Sequence, residues 1–335
     1  MGGKRFRFVA SFSSPAAVDH CPVRSVHHLF IAAAIACVVL GEGVAELASA
    51  SPVIDDRELE ERFAAGLQEQ GANGLSGADA SKALLRVEGM SVEVPLTSAQ
   101  PATDYEQMCR SVVVVGSADF CKDCNGAHMG GFGTGWVIDP RGRIVTNHHV
   151  VEDKQAEELG VMTFDGRVFP VRRILASDSK GDAAILEIDP AGEALPALPL
   201  ANTARTGEAI RVVGHPDGRF YTLSEGVVSR AYAEGNSDDD SRRTWLTVTA
   251  DCGVGSSGAP VLNLAGEVVG MVSSTSTLLA TDEAGKSLPL VFLRTLLGMN
   301  PEGKDVRSGE DVQMVFRDCV SIETIRGLME PTRDR

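Results

Sequence analysis

From residue 105 onward, apolar residues come in short runs closed by Gly, Asp, Asn or Pro. Examples are "SVVVVGS", "GWVIDPRGRIVTN", "VMTFDGRVFPVRRILAS" and "AAILEID". "AIRVVGHPDGR", "YTLSEGVVSRA", "TWLTVTA" and "APVLNLAGEVVGMVSS" follow. Most are four to eight residues, rich in Val, Ile and Thr, which is the signature of strands. "DPRG", "DG", "PDG" and "LAGE" supply turns between them. No long amphipathic helix breaks the series from 130 to 275. The pattern predicts an all-β protein of the barrel or sandwich type. "PAGEALPALP" (190–199) divides the runs into two halves.

Residues 51–104 have a different rhythm. "DDRELEERFAAGLQEQ" predicts a helix, with Asp55 as N-cap and Glu58 three residues on. Leu59, Phe63 and Leu67 give it one apolar stripe. "SVEV" (91–94) alternates like a strand, and Pro95 and Pro101 bracket a linker. The segment reads as an acidic, partly helical appendage. At the other end "LPLVFLRTLLG" (288–298) predicts a short helix, "VQMVFRD" a strand, and "SIETIRGLM" a last helix opened by Ser321. Residues 301–335 are therefore assigned to a C-terminal strand and helix extension, too short for a domain of their own.

The first fifty residues carry a targeting pattern. Lys4, Arg5, Arg7 and Arg24 precede the apolar run Leu29–Leu40, which is too short to span a bilayer. "ASA" at 48–50 is a small-x-small cleavage pattern. A signal peptide over 1–50 is expected, cut near Ala50, leaving no stable membrane span; an uncleaved anchor is the alternative. The product is then exported, to the periplasm or outside the cell. The whole chain has net charge −15, and removing the leader makes it one unit more negative. So acidic a surface repels phosphate backbones and argues against nucleic acid as a partner.

Candidate chemistry begins with the histidines. After the leader they are His128, His148, His149 and His215. "GVGSSGAPV" (253–261) sets Ser256 and Ser257 between glycines, a loop able to aim successive N–H groups at one point. Asp182 stands directly before the apolar run "AAILEID" and is suited to orient a histidine. The chain order is His149, Asp182, Ser257. Among acyl-transfer triads that order belongs to the double β-barrel. The α/β-hydrolase order needs a histidine after the serine, and none follows 215.

"GFGTGWVIDPRGRIVTNHHVV", "GDAAILEID", "VVGHPDGRFYTLSEGVVSR" and "GVGSSGAPVLNLAGEVVGMV" together resemble the trypsin-like serine proteases of the HtrA-related kind. The resemblance covers about residues 110–297. It implies a chymotrypsin-like double six-stranded β-barrel with short helical appendages, placed at 105–300. It implies a serine endopeptidase with His149 as general base, Asp182 as its orienter and Ser257 as nucleophile. The N–H groups of Gly255 and Ser257 would form the oxyanion hole. Asn147 and His148 receive no chemical role. The tail is too short for the regulatory domain that follows the protease in HtrA proteins proper. Asp251 lies six residues before Ser257, where trypsin-like enzymes place the residue at the base of the specificity pocket. Ser273 and Thr275, in "GMVSST", resemble the pocket wall. No cofactor is implied, and the partners are polypeptide substrates, unfolded or secreted, with oligomerisation left open. The rival reading is a protease-like scaffold without turnover.

Five cysteines remain after the leader, an odd number in a compartment that permits disulfides. Cys121, Cys124 and His128 form a C-x2-C-x3-H. It reads as three zinc ligands, a short-loop disulfide or an ordinary surface loop.

Overall fold

The computed structural model describes residues 52–71, 73–95, 99–121, 123–124, 126–236, 242–279 and 312–329. The expected signal peptide, the helix at 288–298 and the acidic cluster 237–241 lie outside the described residues. Among the described residues, no helix is long and apolar enough to cross a membrane.

Among the described residues thirteen strands make two sheets. In the first half β1 (Val112–Cys121), β2 (Gly126–Asp139), β3 (Arg143–Thr146), β4 (Glu158–Met162), β5 (Val168–Pro170), β6 (Arg173–Asp178) and β7 (Ala183–Glu187) follow one another. They form one antiparallel sheet of order β5-β4-β1-β2-β3-β7-β6. The second half supplies β8 (Ala209–Gly214), β9 (Thr222–Glu234), β10 (Arg243–Val248), β11 (Pro260–Asn263), β12 (Val268–Leu279) and β13 (Val312–Ser321). These close into a barrel, β10-β13-β12-β11-β8-β9. The expected all-β, chymotrypsin-like architecture is present, with one correction. The six-stranded closed barrel is the second half, whereas the first half is a seven-stranded sheet.

Side-chain alternation explains how "VVVV" becomes a strand. Val112 and Val114 enter one apolar cluster, shared with Trp136, Met162 and the outer face of the barrel. Val113 and Val115 enter another, with Val137, Ile144, Val161 and Leu186. A strand buried on both faces has no polar positions to spare, hence the unbroken run. The barrel interior is a third cluster, including Val212, Val228, Leu246, Val261 and Cys319.

The C-terminal stretch departs from its expected place. Residues 312–321 are not an extension but β13, paired on both sides by β10 and β12. Helix α4 (Ile322–Gly327) follows, with Ser321 Oγ accepting from Thr324 N.

Three more helices precede the sheets. The expected one is α1 (Asp56–Gln70), capped by Asp55 Oδ1 on Glu58 N and burying Phe63, Ala64 and Leu67. Helices α2 (Gly77–Arg86) and α3 (Tyr105–Ser111) are additional. Their capping signals, Ser76 with Asp79 and Asp104 with Gln107, are written in the sequence. "SVEV" forms no strand. Its Val92 instead donates to Leu328 O, 2.8 Å away. The 51–104 segment thus packs against the body: Leu67 fills the space beside Gly160, and Asp56 accepts from Phe220 N.

Candidate active site

Residue 149 begins a 3-10 turn, His149–Val151, directly after β3. His148 is itself in right-handed helical conformation. The adjacent histidines are therefore parted by a helical turn, not by the alternation of an extended strand. Their partners lie on different sides. His148 Nδ1 meets Ser177 Oγ at 2.8 Å. His149 Nδ1 meets Asp182 Oδ1 and Oδ2 at 3.0 and 2.9 Å.

Asp182 sits at the mouth of β7 with φ 48°, in the left-handed region that Asp tolerates better than most residues. The β6–β7 turn holds it there. Gly181 N donates to Asp178 Oδ1, and Arg243 of β10 binds the other oxygen of Asp178. Asn147 Nδ2 donates to the Asp182 carbonyl, and the His149 backbone N–H donates to Asp182 Oδ1. Backbone and ring are thus anchored to one carboxylate, which fixes the tautomer with the proton on Nδ1.

The loop 253–258 precedes β11. β2 braces it from below. Thr134 N donates to Ser257 O, and Thr134 Oγ1 donates to Gly255 O, at 2.7 and 2.8 Å. Gly255 and Gly258 have φ of 92° and 89°. A Cβ on Gly258 would stand 1.9 Å from Thr134 O, and one on Gly255 2.2 Å from His215 O. Only glycine satisfies both the dihedral and the contact. Among the described residues the N–H groups of Gly255 and Ser257 donate to no partner, while Ser256 N and Gly258 N do.

Ser273 joins the two halves. Its hydroxyl donates to Asp182 Oδ2 at 2.5 Å, and its carbonyl accepts from Ser257 Oγ at 3.2 Å. It links the serine to the aspartate. Spacing alone could not find this role; it depends on β12 passing between the two loops. No hydrogen bond joins Ser257 Oγ to His149 among the described residues. Free enzymes often hold these contacts loose and tighten them around substrate.

Asp251 also has another place. Its side chain is 88% exposed and pairs with Arg317, whereas a pocket base would be enclosed. Thr275 is half-buried on β12, opposite Arg317. Below the loop, His215 is fully buried and accepts from Tyr221 N at 3.1 Å. Burial pushes its pKa down from 6.5 to about 4, so the imidazole is neutral. Two cavities, of about 320 and 260 Å3, are lined elsewhere, by residues such as Arg243 and Thr324, and Glu60 and His128.

Residues 133–271 match the family of the trypsin-like peptidase domain. That span runs from the brace on β2 through all three expected residues to β12. Over this span the chain is similar to trypsin-like peptidase domains. A probable periplasmic serine endoprotease, DegP-like, from Pseudomonas savastanoi is 35% identical over 148 residues, 43% of this chain and 29% of its own. The putative serine protease HhoA of Synechocystis is 34% identical, covering 47% of this chain and 39% of its own. The serine endoprotease DegS of Escherichia coli is 34% identical, covering 42% and 38%. The chain thus spans less than two-fifths of the length of these relatives. The crystal structure of a serine endoprotease from Yersinia pestis is similar over 52% of this chain and 59% of that one. Its identity is 25% and its TM-score 0.40, too loose a likeness to carry an argument. The matched span leaves out the four helices, β1 and β13.

Proposed function

We propose that this chain is an exported serine endopeptidase working through His149, Asp182 and Ser257. The observation that carries the reading is the pairing of the His149 ring with the Asp182 carboxylate, to which Ser273 Oγ also donates. Rotation of the Ser257 side chain away from Ser273 O frees Oγ to attack a peptide carbonyl. His149 Nε2 takes its proton, and Asp182 stabilises the imidazolium. The unpartnered N–H groups of Gly255 and Ser257 receive the oxyanion of the tetrahedral intermediate. Collapse expels the amine, protonated by His149, and leaves an acyl-enzyme that water hydrolyses by the same route. Side chains and backbone supply every group, so the chemistry needs no cofactor.

The substrates are polypeptides, unfolded or secreted. The peptidase-domain match and the relatives' names support that class, and the periplasmic label of one relative agrees with the leader pattern. No preference for Arg or Lys is assigned, since Asp251 is exposed and pairs with Arg317. Amino-terminal sequencing of exported protein should begin at Ser51; a start elsewhere contradicts the assigned cleavage.

One observation favours the rival, a protease-like scaffold: Ser257 Oγ donates to Ser273 O instead of to His149. Labelling with a fluorophosphonate probe separates the two. The peptidase reading expects wild type to label and Ser257→Ala not to. Failure of both to label, or equal labelling, supports the scaffold.

A further inference from the structure

The hairpin joining β1 to β2 carries side chains that peptide hydrolysis does not use. In the register of that pair Cys121 faces Gly126 and Asp119 faces His128. Directly paired residues, and residues two apart, share a face of the sheet. Cys121 and His128 therefore stand diagonally on one face. Cys124, in the turn between them, folds over that face and brings its Sγ to 3.0 Å from His128 Nε2.

The donor atoms of Cys121, Cys124 and His128 all lie within 4.8 Å of one another. Tetrahedral zinc, with bonds of about 2.3 Å to sulfur and about 2.0 Å to nitrogen, holds its ligand atoms about 3.5–3.8 Å apart. Side-chain shifts of about 1 Å bring the set to that spacing, opening the Cys124–His128 pair and drawing in the more distant atoms. These three are not tied into the core: Cys121 is half-buried, and Cys124 and His128 are exposed. Among the described residues the other cysteines, Cys109, Cys252 and Cys319, are each buried in apolar clusters, so no other described thiol competes at this place. Two thiolates and an imidazole make a soft donor set that favours zinc over calcium or magnesium.

We propose that the β1–β2 hairpin binds one Zn2+ through Cys121 Sγ, Cys124 Sγ and His128, with water in the fourth position. On binding, both thiols release their protons to solvent, and nothing is oxidised or reduced. The site is separate from the catalytic loops. His128 borders the cavity it shares with Glu60 and Glu61 of α1 and with Phe132, and Phe132 lies against Gly255. The metal would therefore staple the start of β2, the strand that braces the 253–258 loop.

The test is a zinc titration of the full reduced chain under anaerobic conditions, against a chromophoric chelator. Cobalt serves as the spectroscopic probe. Wild type should bind one equivalent, and its cobalt form should show thiolate-to-metal charge transfer and a tetrahedral spectrum. Cys124→Ser and His128→Ala should each weaken zinc by at least about tenfold while leaving circular dichroism unchanged. Cys121→Ser should do the same. Ser257→Ala should bind as wild type does, so failure here and failure of the peptidase reading are separable. The proposal falls if no stoichiometric zinc binds or if the variants bind as tightly as wild type. It falls equally if protein recovered without reductant from the exporting cell holds a Cys121–Cys124 disulfide.

Discussion

The two sheets treat their share of the chemistry differently. The seven-stranded sheet presents His149 and Asp182 with their contacts already made: two ring contacts, one backbone bond, and an asparagine on the Asp182 carbonyl. The closed barrel presents Ser257 on a loop whose backbone is fixed while its hydroxyl points at Ser273. The proposed base, His149, is held by hydrogen bonds to the Asp182 carboxylate. The proposed nucleophile, Ser257, is held by glycine dihedrals and by Thr134 of the other sheet. One half is therefore sensitive to carboxylate chemistry, the other to backbone shape and a single rotamer.

The strongest way to break the first half is Asp182→Asn. It keeps the shape but puts an amide where His149 needs an acceptor, and kcat should fall about 10^4-fold. Steady-state hydrolysis of an unfolded protein reads this directly. A loss below tenfold would mean that the carboxylate does not set the tautomer.

Ser273→Ala cuts the link between the halves. A hydrogen bond to a carboxylate contributes about 1.5–3 kcal/mol, so kcat should drop about 10- to 100-fold. KM should stay unchanged, because the hydroxyl touches Asp182 rather than substrate. A rise in KM with intact kcat would point to the pocket wall as its role instead.

His215 sharpens the contrast from beneath the barrel's loop. Its folded pKa is about 4, against 6.5 for a free histidine. Between these values the unfolded chain binds a proton that the folded chain refuses. Its contribution is complete above pH 6.5 and is lost as pH falls toward 4, by about 3 kcal/mol. His215→Asn keeps an acceptor for Tyr221 N and removes the titration. The stability gap between wild type and this variant should narrow from pH 7 to pH 4.5 in denaturant melts. A gap that is flat with pH would show that the imidazole is not held neutral.

The smallest effect is expected at Asp251→Asn. An exposed ion pair contributes no more than about 1 kcal/mol, so the ratio of cleavage after Arg to cleavage after Ala should move less than about fivefold. A change near 10^4-fold is what a pocket-floor acid would give.

Much of this was legible in the chain because it is local. Runs of Val, Ile and Thr between Gly, Asp and Pro mark strands, and twelve of the thirteen described strands overlap the quoted runs from "SVVVVGS" to "APVLNLAGEVVGMVSS". Asp55 and Ser321 could be read as caps because a cap acts on an N–H three residues away. What stayed hidden depends on long-range closure. "VQMVFRD" could be read as a strand, but not as the strand that β10 and β12 enclose. Whether a sheet closes is set by register across many residues, so seven strands in one half and a barrel in the other were beyond spacing arguments. The same holds at the site. His149, Asp182 and Ser257 are marked by their neighbours, whereas Ser273 as a link, Thr134 as a brace and Arg243 as an anchor for Asp178 exist only once distant strands meet. Asp251 shows the reverse case, since its chain offset suggested a pocket and its partner Arg317 lies 66 positions away.

The adjacent histidines give the most direct test, because they differ by one position and by everything they touch. The measurement is kcat/KM on an unfolded protein for His149→Ala and His148→Asn, with folding checked by circular dichroism. His149→Ala should abolish turnover, and His148→Asn should retain most of it, since His148 is spent on Ser177. Equal losses in the two variants, or an active His149→Ala, would contradict the assignment of His149 as the base.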